Sequence, residues 1–114
     1  VYLANIAATH RAGIRIVAGT DLFFLPPGLH WDLELLVRAG LYHMEALRTA
    51  TSNAAAVLGV EGQLGCISPG AVADLVVLEA DPLQDIRNTQ KIYAVIQGGR
   101  IIDRASLLKS AKRG

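Results

Sequence analysis

Apolar residues along this chain change their spacing three times, and each change marks an element. Leu3, Ile6 and Ala7, then His10, recur at helical spacing through residues 1–12, and Gly13 follows as a stop. Ile14 to Ala18 drops that period. Mostly β-branched and apolar with one Arg, it predicts a strand buried on both faces in a parallel sheet. Helical spacing returns from His30 to Ala39, with Trp31, Leu35 and Ala39 on one stripe, Leu36 beside it and Gly40 as terminator. A third helix is predicted from His43 to Thr51, with Met44, Leu47 and Ala50 facing one way. A fourth runs from Ala54 to Leu58, capped by Ser52 or Asn53 and ended by Gly59. The small alanines of this region let two helices approach closely.

Beyond Gly65 the pattern alternates. The turn Ser68-Pro69-Gly70 leads into a strand, Ala73 to Glu79, that stops at Asp81-Pro82. Lys91 to Gln97 alternates as well, and Gly98-Gly99 followed by Arg100 to Asp103 reads as a hairpin with a two-residue glycine turn. Three short strands make part of a small β-sandwich or barrel, and the boundary with the helical half falls near Gly59 to Gly70. Helix, glycine, buried strand and polar strand end form the αβ half of a βαβ repeat. Its strand needs neighbours on both sides, which this chain does not supply.

Composition adds a reason to expect covered surfaces. Hydrophobic residues make up 52% of the 114 and the mean hydropathy is +0.36, yet no apolar run approaches the ~18 residues of a membrane span. Eleven basic and ten acidic residues give a net charge of +1, which argues against phosphate neutralisation and so against nucleic acid as a partner. The basic tail, Lys109, Lys112 and Arg113, reads as a solvated terminus. One cysteine, Cys66, excludes an internal disulfide and a multi-cysteine zinc site, and suits a reducing cytoplasm. The opening Val1-Tyr2-Leu3-Ala4-Asn5 has neither a basic leader nor a Met, as expected of a chain cut from something longer.

Candidate chemistry gathers after the first strand. Gly19 and Thr20 let the backbone turn, and Asp21 places a carboxylate just past the strand's C-terminal end, where parallel α/β folds put their chemistry. Asp is equally a common cap or turn residue, so both readings stand. The apolar loop Leu22 to Gly28 is of the kind that lines a pocket or presses on a partner, and its Phe23, Phe24 and Leu25 favour a partly apolar substrate side chain. His30, at the helix start after that loop, is placed to reach a substrate. His10 and His43 lack ligand spacing and read as surface or helix-end histidines. Gly59, Gly62 and Gly65 have the wrong spacing for a phosphate loop and read as turn glycines.

Taken together, the residues carry a resemblance. A buried strand ending in Gly19-Thr20-Asp21 is followed by His30-Trp31-Asp32-Leu33-Glu34-Leu35, then by Glu45-Ala46-Leu47-Arg48-Thr49-Ala50-Thr51 with Asn53-Ala54-Ala55. Leu58-Gly59, Gly65-Cys66-Ile67-Ser68-Pro69-Gly70, Ala73-Asp74-Leu75-Val76-Val77-Leu78 and Val95-Ile96-Gln97-Gly98-Gly99-Arg100 complete the order. The set resembles the C-terminal part of the metal-dependent amidohydrolase superfamily, in the branch of imidazolonepropionase, prolidase-like enzymes and cyclic-imidate or amide hydrolases.

The resemblance implies an α/β fold: residues 1–60 as the last part of a (β/α)8 TIM barrel, with Ile14 to Gly19 its eighth strand, and residues 61–114 as C-terminal strands of a composite β-sandwich. It implies one or two divalent metals, usually zinc, in the complete enzyme. Asp21 would contact the metal and shuttle a proton from metal-bound water to the leaving nitrogen of an amide, cyclic amide or dipeptide-like substrate. Asp74, inside the Ala-Asp-Leu-Val-Val-Leu signature, is far from the metal and serves the start of a strand or a turn. The His-x-His pair and the other metal ligands of the superfamily have no counterpart here. The chain therefore calls for the rest of the barrel or a sister chain as partner, an oligomer, and no membrane. A second reading is a non-catalytic, oligomerising remnant of the fold in which Asp21 is reduced to a cap. Unpaired edges of the Ile14 to Ala18 strand should in either case make the lone chain associate.

Overall fold

The computed structural model describes residues 2–21 and 28–112. Four helices come first: α1 (Tyr2–Arg11), α2 (Gly28–Arg38), α3 (His43–Thr49) and α4 (Ser52–Val57). They are followed by β1 (Leu75–Leu78), a 3-10 turn, η1 (Ile86–Gln90), β2 (Ile92–Gln97), β3 (Arg100–Ile101) and α5 (Arg104–Ala111). The apolar loop Leu22 to Pro27 and Arg113 lie outside the described residues.

The glycine stops act as expected. At Gly40, φ is +112°, its N–H bonds the Val37 carbonyl at 3.0 Å and the Leu41 N–H bonds that of Leu36 at 3.2 Å. This closes two orphan carbonyls and brings Leu36 and Leu41 together, and both enter the core. Gly13 after α1 and Gly59 after α4 end their helices with the same pair of bonds.

Leu33, Leu36, Leu41, Ala46 and Ile86 form the buried cluster, with Ile6, Ile16, Ala18 and Leu47 packed around it. The buried stripe of α2 is thus Leu33 and Leu36, while Trp31 is half exposed. In α3 it is Ala46 and Thr49, while Met44 is half exposed. Of the predicted stripes, Leu36 and Ala39 are buried and Leu47 and Ala50 pack on the core, so spacing selected the buried faces in part. The alanines do act as spacers: Ala46 and Ala55 are buried where helices meet.

The three strands form an antiparallel sheet in the order β1-β2-β3. Leu75 faces Ile96, Val76 faces Val95 and Val77 faces Ala94, after which a bulge at Tyr93 shifts Leu78 onto Ile92. Gln97 pairs with Arg100 across Gly98 and Gly99, both at positive φ, as a two-residue hairpin turn requires. Asp74 accepts the Gly98 N–H at 2.7 Å and the Ala73 carbonyl accepts that of Gly99 at 3.0 Å. Asp74 is therefore a turn carboxylate, and the two signature segments are read together because they are bonded together.

Three expectations need correction. Ile14 to Ala18, expected as a strand, joins no strand ladder among the described residues, because a parallel strand requires neighbours that the described residues do not supply. Residues 104–111 form a helix where the C-terminal half is expected to be strands, although its side chains remain largely exposed, as a solvated terminus requires. Asp103 caps this helix, its Oδ1 accepting the Ser106 N–H at 3.1 Å and its Oδ2 the Ser106 hydroxyl at 2.6 Å. Neither Ser52 nor Asn53 caps α4: Thr51 holds that position without a side-chain capping bond, its hydroxyl donating to the Leu47 carbonyl at 2.9 Å, and Asn53 is used elsewhere.

Candidate active site

The segment that ends in Asp21 is held by helices instead of strands. The Ala18 N–H bonds the Thr49 carbonyl at 3.1 Å, the Gly19 N–H bonds Asp32 Oδ2 at 2.9 Å, and Asn53 Nδ2 donates to the Ile16 carbonyl at 3.0 Å. These contacts come from α3, α2 and α4 in turn, so three elements fix the backbone just before Gly19-Thr20-Asp21. Ile16 and Ala18 turn towards the core, whereas Ile14 and Val17 remain exposed. Asp21 itself is exposed and has φ +49°, the one non-glycine at positive φ among the described residues. Asp tolerates this left-handed conformation better than most residues, yet it is sparsely populated and recurs at functional sites.

His30 lies in the first turn of α2. Its Nδ1 is 2.9 Å from the Thr89 hydroxyl, and the Thr89 hydroxyl also donates to the Ile86 carbonyl at 2.9 Å. Thr89 is buried, and a contact between Gln90 Nε2 and Glu34 Oε1 at 3.3 Å ties the same two elements. His30 is thereby anchored across 59 residues of sequence.

The other two histidines belong to α1 and α3. His10 Nε2 lies 3.3 Å from Glu45 Oε2, and that carboxylate also accepts the Tyr42 N–H at the start of α3. His43 opens α3. Among the described residues no three His, Cys, Asp or Glu side chains are grouped as a metal would require. Asp21 can therefore offer one oxygen ligand, and the described residues do not hold a metal alone. Among the described residues no helix is long and apolar enough to cross a membrane. Cys66 is half-buried with Sγ 3.3 Å from the Ser68 hydroxyl.

The amidohydrolase family profile matches residues 3–102. The chain belongs to this family. It is 54% identical over 102 residues to an imidazolonepropionase of Rubrobacter xylanophilus, with 81% of this chain and 24% of the relative covered. It is 37% identical over 98 residues to an ochratoxinase of Aspergillus niger, with 80% and 20% covered. Among solved structures, a Xaa-Pro dipeptidase with methionine bound in its active site superposes with a TM-score of 0.81 at 28% identity, over 88% of this chain and 25% of that one. This amidohydrolase chain thus spans about a fifth to a quarter of the length of the curated relatives it matches.

Sequence reading singled out Asp21 and His30 but missed the residues that support them. Asn53 reads as a candidate cap, and Asp32 and Thr89 carry no local signal of a role, because only the fold brings each to its partner. The one signal available was that Asp32 and Asn53 fall inside segments already singled out for their order.

Proposed function

We propose that this chain is the Asp21-bearing part of a metal-dependent hydrolase that cleaves carbon–nitrogen bonds, in a (β/α)8 barrel completed by polypeptide outside these 114 residues. Membership of the amidohydrolase family, with Asp21 exposed at the end of a segment fixed by three helices, carries the reading. Ile14 to Gly19 takes the place of the eighth strand and residues 61–114 contribute to a composite sandwich. The relatives are a dipeptidase and an imidazolonepropionase by name, which supports amide, cyclic-amide or dipeptide-like substrates.

A divalent metal, zinc by preference, would be held chiefly by ligands outside this chain and would supply a water acidified to a pKa near ~7. The task of Asp21 is to take the proton that the attacking water gives up and to return it to the leaving nitrogen as the bond breaks. Its carboxylate is suited to that exchange by exposure and by a backbone fixed just upstream. His30 binds substrate.

The exposed area supports an incomplete unit. This chain exposes 8349 Å², about 2,300 Å² more than a folded monomer of 12.1 kDa commonly shows. Its radius of gyration is 15.2 Å, against about 13 Å for a compact domain of that length. The partner is the remaining barrel or a sister chain, and an oligomer follows.

The test is reconstitution with an N-terminal barrel portion, followed by zinc analysis and hydrolysis of an N-acyl amino acid. Asp21→Asn should lower kcat about 10²–10⁴-fold with folding intact. Full activity in that variant, or no metal uptake and no hydrolysis by the reconstituted protein, would favour the non-catalytic remnant instead.

A further inference from the structure

The contact between His30 and Thr89 fixes more than a ring position. Thr89 Oγ lies 2.9 Å from the Ile86 carbonyl oxygen and 2.9 Å from His30 Nδ1. A carbonyl oxygen bears no proton, so the two oxygens can be joined only by the hydroxyl's own hydrogen. That hydrogen is committed, and Thr89 meets the imidazole as an acceptor. The proton between them therefore sits on Nδ1, which leaves Nε2 of the neutral ring with a lone pair and no hydrogen.

We propose that Thr89 is a positioning residue that locks His30 in the Nδ1–H tautomer, so that Nε2 is offered as acceptor to a hydrogen-bond donor on the substrate. The donor class is an amide N–H or a hydroxyl. The inference rests on the assignment of His30 to the substrate site. Its basis is the rigidity of the support: Thr89 is buried, Ile86 belongs to the core beside Leu33 and Leu36 of α2, and the Glu34–Gln90 contact pins the same interface. Among the described residues no donor is hydrogen-bonded to Nε2. A ring with one nitrogen secured across 59 residues keeps the lone pair of the other for a donor outside the described residues. The lock also gives the C-terminal half a task at the site, since η1 orients a residue carried by α2.

Long-range proton–nitrogen correlation spectra of the isotope-labelled chain, at a pH where the ring is neutral, read the tautomer directly. Wild type should show a protonated Nδ1 and a bare Nε2. Thr89→Val should move His30 towards the Nε2–H form, and Thr89→Ser should restore the original pattern. An Nε2–H ring in wild type, or no change in Thr89→Val, overturns the lock.

In the reconstituted hydrolase, Thr89→Val should raise KM for an N-acyl amino acid about tenfold, the equivalent of one lost hydrogen bond, with kcat retained. The N-methylated analogue, which lacks the N–H, should show the same KM in both proteins. An unchanged KM for the N–H substrate, or an equal rise for both substrates, overturns the recognition role. Asp21→Asn separates the two levels. Retained kcat there defeats the hydrolase reading, while the tautomer result stands on its own.

Discussion

Replacing Gly65 with alanine puts the helix-to-sheet junction under a measurable load. Gly65 has φ +70°, and a Cβ there would lie 2.5 Å from the Thr51 carbonyl oxygen, 2.7 Å from the Thr51 carbonyl carbon and 3.1 Å from Ala55 Cβ. The nearest atoms are backbone, and the same carbonyl accepts the Ala55 N–H at 2.9 Å, so relief requires the first turn of α4 to shift. Two costs follow. A non-glycine residue in the left-handed region costs about 1–2 kcal/mol, and overpacking adds about 1–3 kcal/mol.

Gly62→Ala isolates the first cost, because Gly62 has φ +79° with nothing within 4 Å of its Cβ position. Gly65→Ala should therefore lose about 1–3 kcal/mol more than Gly62→Ala, and about 4 °C or more in Tm beyond it. Urea unfolding followed by Trp31 fluorescence and far-ultraviolet circular dichroism measures both variants, with midpoints compared at equal slope. Coincident midpoints would refute the packing argument and with it the explanation of why this signature segment carries glycine.

Asn53→Ala removes the donor that holds the Ile16 carbonyl. It should cost about 0.5–1.5 kcal/mol and accelerate amide exchange at Ala18 and Gly19, so wild-type protection there would contradict the three-helix clamp. Asp74→Ala deprives the Gly98 N–H of its acceptor and should destabilise the hairpin by about 1 kcal/mol. The kcat of the reconstituted hydrolase should not change, and a loss of kcat without unfolding would give Asp74 a chemical role. The Asp103 carboxyl is lowered by its bonds from the Ser106 hydroxyl and N–H, and the Asp85 carboxyl falls to about 2, chiefly through its hydrogen bonds from Arg87. Both folded values lie below the ordinary 3.8. Their stabilisation is complete above that pH and is lost as pH falls through the folded values. An acid titration by circular dichroism should show α5 melting in that window in wild type, whereas Asp103→Ala should be less helical already at neutral pH. Equal helicity of the two at neutral pH would remove Asp103 as the cap.

The helical half was legible where local physics is decisive. Gly13, Gly40 and Gly59 stop helices because their left-handed backbone lets the next residues close orphan carbonyls, and Gly98-Gly99 fixes a hairpin for the same local reason. Order and spacing likewise exposed the family. Residues 104–111 were missed although Asp103 and Ser106 gave a capping signal, because the basic tail was weighed as a solvated end. The buried faces of α2 and α3 were legible in part: Leu36, Ala39, Leu47 and Ala50 meet the core, whereas Trp31 and Met44 do not, because each helix offers several apolar sides and only the neighbours choose among them.

By itself, then, the sequence determined where helices stop, where the chain turns, that Asp74 serves the start of a strand or a turn, and that Asp21 follows an apolar segment. Tertiary structure decided the rest. It spent Asn53, Asp32 and Thr49 on that segment, joined His30 to Thr89, and left Ile14 to Asp21 without a ladder. The physical reason is range: capping and turn bonds close within a few residues and show as spacing, whereas these contacts join residues 13 to 59 positions apart, where no local pattern records them.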